Sequence, residues 1–307
     1  MSRSSTHLGQ GFRLGLIGHP LSHSLSPKIH RAALQSCGLN GDYSLFAISP
    51  DDRQGLKDLL ARVRAGDLHG LNVTIPHKQN VIPLLDELTP TVQAIGAVNT
   101  IYMRDDKLIG DNTDAPGFLS DLKKFLTTET PSHGDLNAIV LGAGGSARAV
   151  VYALLNDGWT VTIAARRLEQ AQQLADSLLN YQLQVTNYDQ LIISTTFDAS
   201  LHSSSFRLRS MQAFSLLVNT TPLGMYPNVD QSPLPENANL PQHMMVYDLV
   251  YNPRETKLVK DARAQGLRGT TGLGMLIEQA ALAFELWTGC NPSREIMRTS
   301  LEQFPIP

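Results

Sequence analysis

The segment NAIVLGAGGSAR (137–148) constrains the fold more than any other stretch of this chain. A short apolar run suited to a buried strand leads into a glycine-rich turn, and an apolar helical pattern follows. Gly142 allows the tight turn, Gly144 lets a phosphate approach the backbone, and Ala147 permits close packing of helix on strand. Free N–H groups at the helix start then favour anions. The segment predicts a β-α-β unit that binds a dinucleotide, and the alternative is a glycine-rich turn without a ligand.

The end of the next predicted strand, TVTIA (160–164), indicates which dinucleotide would bind. A site for NAD places an acidic residue about 20 positions after the turn, where it accepts hydrogen bonds from the ribose. Here the chain reads Ala165-Arg166-Arg167 instead. Guanidinium groups suit a 2′-phosphate because their paired N–H donors match its oxygens. We therefore predict NADP, the alternative being that both arginines are solvated charges at a helix start.

Strand and helix patterns alternate along the chain in two series. Repeated β-α-β units predict, in each series, a mostly parallel sheet covered by helices. NTIYMRDDKLIG (99–110) departs from this pattern and predicts a hairpin that turns at Asp105-Asp106. The first series has predicted strands 12–18, 43–48 and 71–75 and helices 26–38 and 51–66. The second has predicted strands 137–141, 160–164, 215–219 and 244–250 and helices 146–156 and 168–179.

The expected fold is α/β with two domains and a cleft between them. We expect an N-terminal, open, mostly parallel α/β domain for the substrate (12–114) and a Rossmann-like NADP-binding domain (115–253). Residues 254–307, with helices at about 255–265 and 273–288, are expected to pack back on the first domain, since the second already has its sheet. The remaining expectations are a linker at 127–135 and one strand, one short helix and a loop within 181–214.

Composition disfavours several other classes of protein. Of 307 residues 42 % are hydrophobic and 17 % charged, as in ordinary globular proteins, and a net charge of −3 argues against nucleic acid as the main partner. Cys37 and Cys290 stand far apart, outside any metal-ligand spacing, and are expected to be reduced thiols. No signal peptide or membrane span is predicted. We expect a cytoplasmic monomer or homodimer that acts on a small molecule without a metal.

Lys78 stands where a lysine is unfavourable. In NVTIPHK (72–78) a strand ends and Lys78 follows in the predicted first turn of a helix, whose partial positive charge disfavours a cation by about 0.3–1 kcal/mol. Alternation along the strand puts Asn72 and Thr74 on one face, near the sheet edge where open α/β folds bind ligands. An ammonium disfavoured in this way gives up its proton more readily, so Lys78 is a candidate acid/base residue. The alternative is an ordinary surface lysine.

Several polar residues could complete such a site. Asp114, in GDNTDAPG, could face Lys78, or it could only cap the helix that follows it. Ser24 and Ser26, in SHSLSP, follow the first strand; Ser26 is a plausible N-cap, yet hydroxyls at a helix start also suit a carboxylate. Two further neutral hydrogen-bonding candidates are Asn99 and Gln279.

Eight motifs together resemble the shikimate dehydrogenase family, in order and over residues 18–280. This set is far more specific than the dinucleotide turn alone. The motifs are GHPLSHSLSP (18–27), NVTIPHK (72–78), GAVNT (96–100), GDNTDAPG (110–117), GAGGSAR (142–148), NTTPLGM (219–225), DLVYNPRET (248–256) and GLGMLIEQA (272–280).

The resemblance implies reversible, NADPH-dependent reduction of 3-dehydroshikimate to shikimate. It implies that Lys78 is the acid/base residue with Asp114 as its partner, and that Ser24 and Ser26 hold the substrate carboxylate. Around the ring hydroxyls it implies Thr74, Asn99, Tyr251 and Gln279 together with Lys78 and Asp114. The implied NADP site comprises Gly142, Ala143, Gly144, Gly145, Ser146, Ala165, Arg166, Arg167, Leu249 and Gly272.

The chain departs from the family pattern after the second Rossmann strand. The family's Asn-Arg-Thr is Ala165-Arg166-Arg167 here, which loses a neutral contact and gains a charge. One alternative is a quinate/shikimate dehydrogenase that accepts a saturated ring and NAD; the paired arginines disfavour NAD, and Thr74 favours the shikimate branch. Another is a non-catalytic NADP-binding regulatory module, disfavoured because Lys78 and Asp114 are both present.

Overall fold

The computed structural model describes residues 11–126, 136–182, 191–194 and 213–302. These residues form two compact units. The first comprises the described residues of 1–92, 98–113 and 280–304, and the second comprises 93–97 and the described residues of 114–279. The expected linker at 127–135 and most of 181–214 lie outside the described residues, apart from one strand at 191–194.

The first unit is built on a six-stranded sheet in the order β2-β1-β3-β5-β6-β4. Strand β1 pairs in parallel with β2 and β3, whereas β5 pairs antiparallel with β3 and β6. The predicted hairpin is therefore confirmed, and Asp105 (φ 50°) and Asp106 (φ 57°) form its left-handed two-residue turn. The strands are β1 (Phe12–Gly18), β2 (Gly41–Ala47), β3 (Gly70–Val73), β4 (Glu87–Leu88), β5 (Thr100–Arg104) and β6 (Lys107–Asp111).

Helix boundaries in this unit follow local signals, with one exception. Gly38 adopts a φ of 63° after the first helix, and Asp52 caps the second by accepting from the N–H of Gly55 at 2.8 Å. Ser26 is not the predicted N-cap: the cap residue is Leu25, and the Ser26 N–H instead donates to Ser24 Oγ at 3.3 Å. The helices are α1 (Ser26–Ser36), α2 (Arg53–Arg64), α3 (His77–Asn80), α4 (Pro90–Ile95), which ends in the second unit, and α10 (Arg294–Glu302).

A disulfide joins Cys37 to Cys290, so the prediction of reduced thiols is wrong for this structure. Cys37 is the C-cap residue of α1, and Cys290 lies in the segment just before α10, which packs on α1. The two Cα atoms are 6.4 Å apart although 253 positions separate the residues in sequence. A pairing of that separation is set by the tertiary fold, and no spacing rule reveals it.

An aromatic cluster fills the first unit between α1, β2 and the end of the long C-terminal helix. The ring of His30 stacks on Tyr43 with centroids 4.3 Å apart and lies 5.3 Å from the ring of Trp287. Burial lowers the pKa of the His30 imidazole to about 3, and the side chain of Asn72 has a smaller, opposite effect. Gly70 is required here because a Cβ would overlap the indole of Trp287.

The second unit has a sheet in the order β12-β11-β10-β7-β8-β9 with every pairing parallel. This is the strand order of a dinucleotide-binding Rossmann fold, so the predicted fold class is confirmed. Its strands are β7 (Asn137–Leu141), β8 (Thr160–Ala164), β9 (Leu191–Ser194), β10 (Leu216–Asn219), β11 (Met245–Asp248) and β12 (Gly269–Thr271). Its helices are α5 (Asp114–Leu126), α6 (Gly145–Asn156), α7 (Leu168–Gln182), α8 (Lys257–Ala264) and the start of α9 (Leu273–Thr288).

The expected return of all of 254–307 to the first domain is corrected for 254–279. Strand β12 extends the second sheet, and α8 packs on β11 and β12. A strand of only three residues has no clear period-2 pattern in the sequence, which is why α8 was expected in the first domain. The chain rejoins the first unit only at Ala280, within α9.

Candidate active site

The glycine-rich turn between β7 and α6 has the geometry of a phosphate-binding site. Gly142 adopts a φ of 111° and its N–H donates to the Ala164 carbonyl at 2.8 Å. Gly144 is the N-cap residue of α6, no side chain caps this helix, and a Cβ on Gly144 would meet nothing within 4 Å. The helix start is therefore open to an anion. Ala147 is fully buried beneath the turn, as its predicted packing role requires.

The arginines at the end of β8 also fit a phosphate. Ala165 is buried, whereas Arg166 and Arg167 are exposed between β8 and α7. Both residues follow the carboxyl end of β8, the edge at which sheets of this type bind ligands. The turn therefore fits the pyrophosphate of NADP, and the arginines fit its 2′-phosphate.

Leu249 and Gly272 meet where α9 begins. The Gly272 N–H lies 3.3 Å from the Val250 carbonyl that accepts its hydrogen bond, and a Cβ on Gly272 would overlap the Leu249 carbonyl. Glycine is therefore required, and the start of α9 lies directly against the end of β11.

Lys78 occupies the second position of α3, a helix of only four residues. The prediction of a lysine in a first helical turn is correct, but one turn has little of the dipole that the sequence argument invoked. The Lys78 carbonyl accepts from the N–H of Val98 at 2.8 Å. The neighbouring His77 is buried, and its Nε2 lies 2.7 Å from the Ile48 carbonyl. His77 therefore anchors α3, a role that sequence reasoning missed.

Ser24 and Thr74 lie at the carboxyl edge of the first sheet. The Thr74 N–H donates to the Ile17 carbonyl at 2.8 Å, near the end of β1. Ser24 is half-buried in the turn that follows β1, while Ser26 is buried at the start of α1. Strand β3 ends at Val73, so Thr74 belongs to the segment after the strand rather than to its polar face. The edge position predicted for these hydroxyls is where the structure has them.

Asn99 has both ends of its amide engaged by Thr113. The Thr113 N–H donates to Asn99 Oδ1 at 2.7 Å, and Asn99 Nδ2 donates to Thr113 Oγ1 at 2.9 Å. Both residues are buried. Thr113 directly precedes Asp114, so this pair fixes the chain at the entry to α5. Sequence reasoning did not single out Thr113, although it stands inside the motif GDNTDAPG.

Asp114 and Gln279 belong to helices that approach closely within the second unit. Asp114 is the buried first residue of α5, one position earlier than the predicted helix start, and its charge suits that end of the helix. One turn later, a Cβ on Gly117 would lie 2.7 Å from the backbone nitrogen of Gln279. Gly117 therefore lets α5 and α9 cross at short distance. Tyr251 is half-buried, and burial raises the pKa of its hydroxyl.

The predicted site residues thus form two groups, one in each compact unit. Ser24, Ser26, Thr74, Lys78 and Asn99 belong to the first unit, and Asp114, Tyr251, Gln279 and the cofactor residues belong to the second. Within the described ranges no cluster of histidine, cysteine, aspartate or glutamate could hold a metal ion. Over the same residues, no helix is both long and apolar enough to cross a membrane.

Three family descriptions match parts of the chain. The shikimate dehydrogenase substrate binding domain matches residues 16–101. Shikimate / quinate 5-dehydrogenase matches residues 125–205, and the shikimate 5′-dehydrogenase C-terminal domain matches residues 272–302. The matches follow the chain in the order that the eight motifs predict.

Individual proteins are similar over nearly the whole chain. Shikimate dehydrogenase (NADP(+)) of Symbiobacterium thermophilum is 40% identical over 299 residues, which cover 97% of this chain and 96% of that protein. The structure of shikimate 5-dehydrogenase from Thermus thermophilus in complex with NADP(H) and shikimate is 36% identical with a TM-score of 0.78, covering 95% of this chain and 99% of that one. Quinate dehydrogenase from Corynebacterium glutamicum in complex with NAD is 33% identical with a TM-score of 0.82, covering 96% and 99%.

Proposed function

The chain belongs to the shikimate dehydrogenase family, and from that premise we propose how its own residues carry out the family's reaction. It is an NADP-dependent oxidoreductase that interconverts 3-dehydroshikimate and shikimate. The observation that supports this best is the uncapped glycine turn at the start of α6, with Arg166 and Arg167 exposed at the end of the next strand. That pairing suits a dinucleotide that carries a 2′-phosphate.

We propose that Lys78 donates a proton to the ketone oxygen of 3-dehydroshikimate. NADPH, when bound, supplies the hydride, so negative charge develops on that oxygen and needs a donor. In the oxidative direction the neutral amine of Lys78 accepts the hydroxyl proton of shikimate. His77 supports this role because its bond to the Ile48 carbonyl fixes the single helical turn that carries Lys78.

We propose that Asp114 is the partner of Lys78 and binds a ring hydroxyl. Its buried carboxylate at the start of α5 is held in place by the bonds between Asn99 and the adjacent Thr113. A carboxylate next to an ammonium stabilises the charged donor before the proton moves. Gln279, brought against α5 by Gly117, would complete the polar surface that faces the ring hydroxyls.

The substrate carboxylate is assigned to Ser24 and Ser26, and the remaining hydroxyl contacts to Thr74, Asn99 and Tyr251. Short hydroxyl side chains beside the first turn of α1 suit a carboxylate, since the helix start itself favours an anion. On the cofactor side, Gly142, Ala143, Gly144, Gly145 and Ser146 would hold the pyrophosphate. Ala165, Arg166 and Arg167 would hold the 2′-phosphate end, and Leu249 and Gly272 would line the other end.

A second candidate is a dehydrogenase that also oxidises quinate and uses NAD. The observation that favours this second candidate is the similarity to a quinate dehydrogenase in complex with NAD, with a TM-score of 0.82. The arginine pair favours NADP over NAD, and Thr74 favours the shikimate branch. The cytoplasmic location and the monomeric or dimeric state stay predictions, and the Cys37–Cys290 disulfide removes one observation on which the first of them rested.

The decisive experiment measures NADP⁺ reduction by shikimate, with quinate and NAD⁺ in parallel assays. Lys78→Ala should lower kcat by about 10²–10⁴-fold with a much smaller change in the KM for shikimate, because it removes the proton carrier while the other proposed contacts to the ring hydroxyls remain. Lys57→Ala, at an exposed position of α2, is the matched control and should behave as the unaltered protein. Equal rates with quinate or NAD⁺ would favour the second candidate. An unchanged kcat in Lys78→Ala would refute the role of the lysine.

A further inference from the structure

Asp248, the last residue of β11, is a fully buried carboxyl group with no cationic partner in the described parts of the chain. Its partners are neutral groups only. Oδ1 accepts from Asn219 Nδ2 at 2.8 Å and from the Val250 N–H at 3.0 Å, and Oδ2 accepts from Thr256 Oγ1 at 2.7 Å. Burial raises the pKa of this carboxyl to about 6.

Burying the carboxyl group of Asp248 makes folding less favourable at neutral pH, where an exposed aspartate is ionised and hydrated. Three neutral donors offset only part of the lost hydration of a carboxylate, and a neutral side chain of the same shape would avoid that loss. Buried carboxyl groups with a raised pKa are found more often at functional sites than elsewhere. The segments to which Asp248 is hydrogen-bonded therefore indicate which function it serves.

The first of these segments leads to the phosphate-binding turn. Asn219, held by Asp248, accepts at its Oδ1 from the N–H of Thr221 at 3.0 Å and from Thr221 Oγ1 at 2.7 Å. Thr220, between them, donates from Oγ1 to the Leu141 carbonyl at 2.6 Å. Leu141 is the residue directly before Gly142. Asp248 is thus linked to the base of the turn that receives the pyrophosphate through its bond to Asn219, the backbone of residues 219–221 and the bond from Thr220 to Leu141.

The second segment leads to the other end of the proposed cofactor site. The bond from the Val250 N–H fixes the backbone on both sides of Leu249, whose carbonyl lies against Gly272. Through Oδ1, Asp248 therefore orders both edges of the dinucleotide site. Oδ2 instead supports the start of α8. It accepts from Thr256, the N-cap residue of that helix, whose hydroxyl in turn accepts from the Val259 N–H at 3.3 Å.

We propose that Asp248 is a positioning residue for the cofactor, holding the 219–221 segment and the backbone around Leu249 in the arrangement that receives the dinucleotide. The inference rests on the proposed function, since it takes the glycine turn and Leu249 as parts of the cofactor site. Asp248 acts through Asn219 and Val250 and does not itself touch the dinucleotide. The proposed role uses Oδ1, whereas the capping of α8 uses Oδ2, so the two roles can be tested independently.

The test compares NADP⁺ binding, measured by titration calorimetry, in four full-length proteins whose melting is followed by circular dichroism. Asp248→Ala should weaken NADP⁺ binding by at least about tenfold and leave the KM for shikimate within about threefold. Asp248→Asn should bind NADP⁺ within about threefold of the unaltered protein, because its amide oxygen can still accept from Asn219 and Val250 while its NH₂ donates to Thr256. Thr256→Ala, the control for capping, should melt earlier but bind NADP⁺ within about threefold.

Normal NADP⁺ binding in Asp248→Ala would overturn the inference, as would an equal loss of binding in Thr256→Ala. Should Asp248→Ala not fold, Asn219→Ala replaces it. That change removes the hydrogen bond from Asn219 to Oδ1 and leaves the bond from Thr256 to Oδ2 in place. The same loss of binding is expected there, and its absence would also overturn the inference. If the unaltered protein itself bound no NADP⁺, the proposed function would fail and this inference with it, a result distinct from failure in the variants alone.

Discussion

Replacing His30 by phenylalanine should make the first unit more resistant to acid. The pKa of His30 is lowered from 6.5 to about 3 because its imidazole is buried. A base with a depressed pKa contributes stability that is fully present above its unfolded-state value of 6.5 and is lost as the pH falls towards 3. The difference of about 3.5 pKa units corresponds to about 5 kcal/mol at most, at 1.36 kcal/mol per unit.

Phenylalanine keeps a ring stacked on Tyr43 and removes the titrating group. The assay is urea unfolding between about pH 7 and about pH 4, followed by the fluorescence of Trp287, whose ring lies 5.3 Å from that of His30. Trp159 belongs to the second unit, so a Trp159→Phe background leaves a single reporter. The free energy of unfolding of His30→Phe should exceed that of its parent, and this difference should be about 3 kcal/mol larger at about pH 4 than at about pH 7.

His243 is exposed, so His243→Phe leaves the core unchanged and serves as the control. Its free energy of unfolding, plotted against pH, should run parallel to that of the parent. Parallel curves for His30→Phe as well would refute the reasoning. They would mean that the imidazole of His30 is hydrated or paired in solution and that the aromatic cluster does not exclude its charged form.

Three shorter tests follow from the same structure. Replacing Cys37 and Cys290 by serine should lower the free energy of unfolding of the first unit by about 2–5 kcal/mol, because the bond closes a loop spanning 253 positions; equal urea midpoints with and without the change would contradict this. Gly117→Ala should raise the KM for shikimate several-fold at an unchanged KM for NADP⁺, since its Cβ would lie 2.7 Å from the backbone nitrogen of Gln279; steady-state kinetics with each substrate varied would check this. Arg166→Ala should weaken NADP⁺ by about tenfold or more but spare NAD⁺, and an equal loss for both would exclude a contact with the 2′-phosphate.

Much of the fold could be predicted because its signals are local. Asp105-Asp106 marks a two-residue turn whatever surrounds it, and Gly38 can end a helix through its own φ. The turn at Gly142 requires only its own strand and helix. These features lie within a few residues of the signal that predicts them, and the structure has each of them in place.

The parts that could not be predicted depend on partners distant in sequence. The Cys37–Cys290 bond and the addition of β12 to the second sheet are set by packing, and neither leaves a periodic pattern. Ser26 has the sequence signature of an N-cap, yet the preceding turn lets Ser24 accept its N–H instead. Asp248 stands in a motif that was recognised, but its burial among neutral donors is visible only in three dimensions.

The two units differ in when the last of their described residues is synthesised. Every residue of the second unit, as far as it is described, has been synthesised once Gln279 is added. The first unit must wait for 280–302, which supply Trp287 to the aromatic cluster and Cys290 to the disulfide. Since domains tend to fold as units during synthesis, the unit that begins first is completed last. A nascent chain therefore carries an incomplete core of the first unit, with no partner for Cys37, from the synthesis of Cys37 until Cys290 is added.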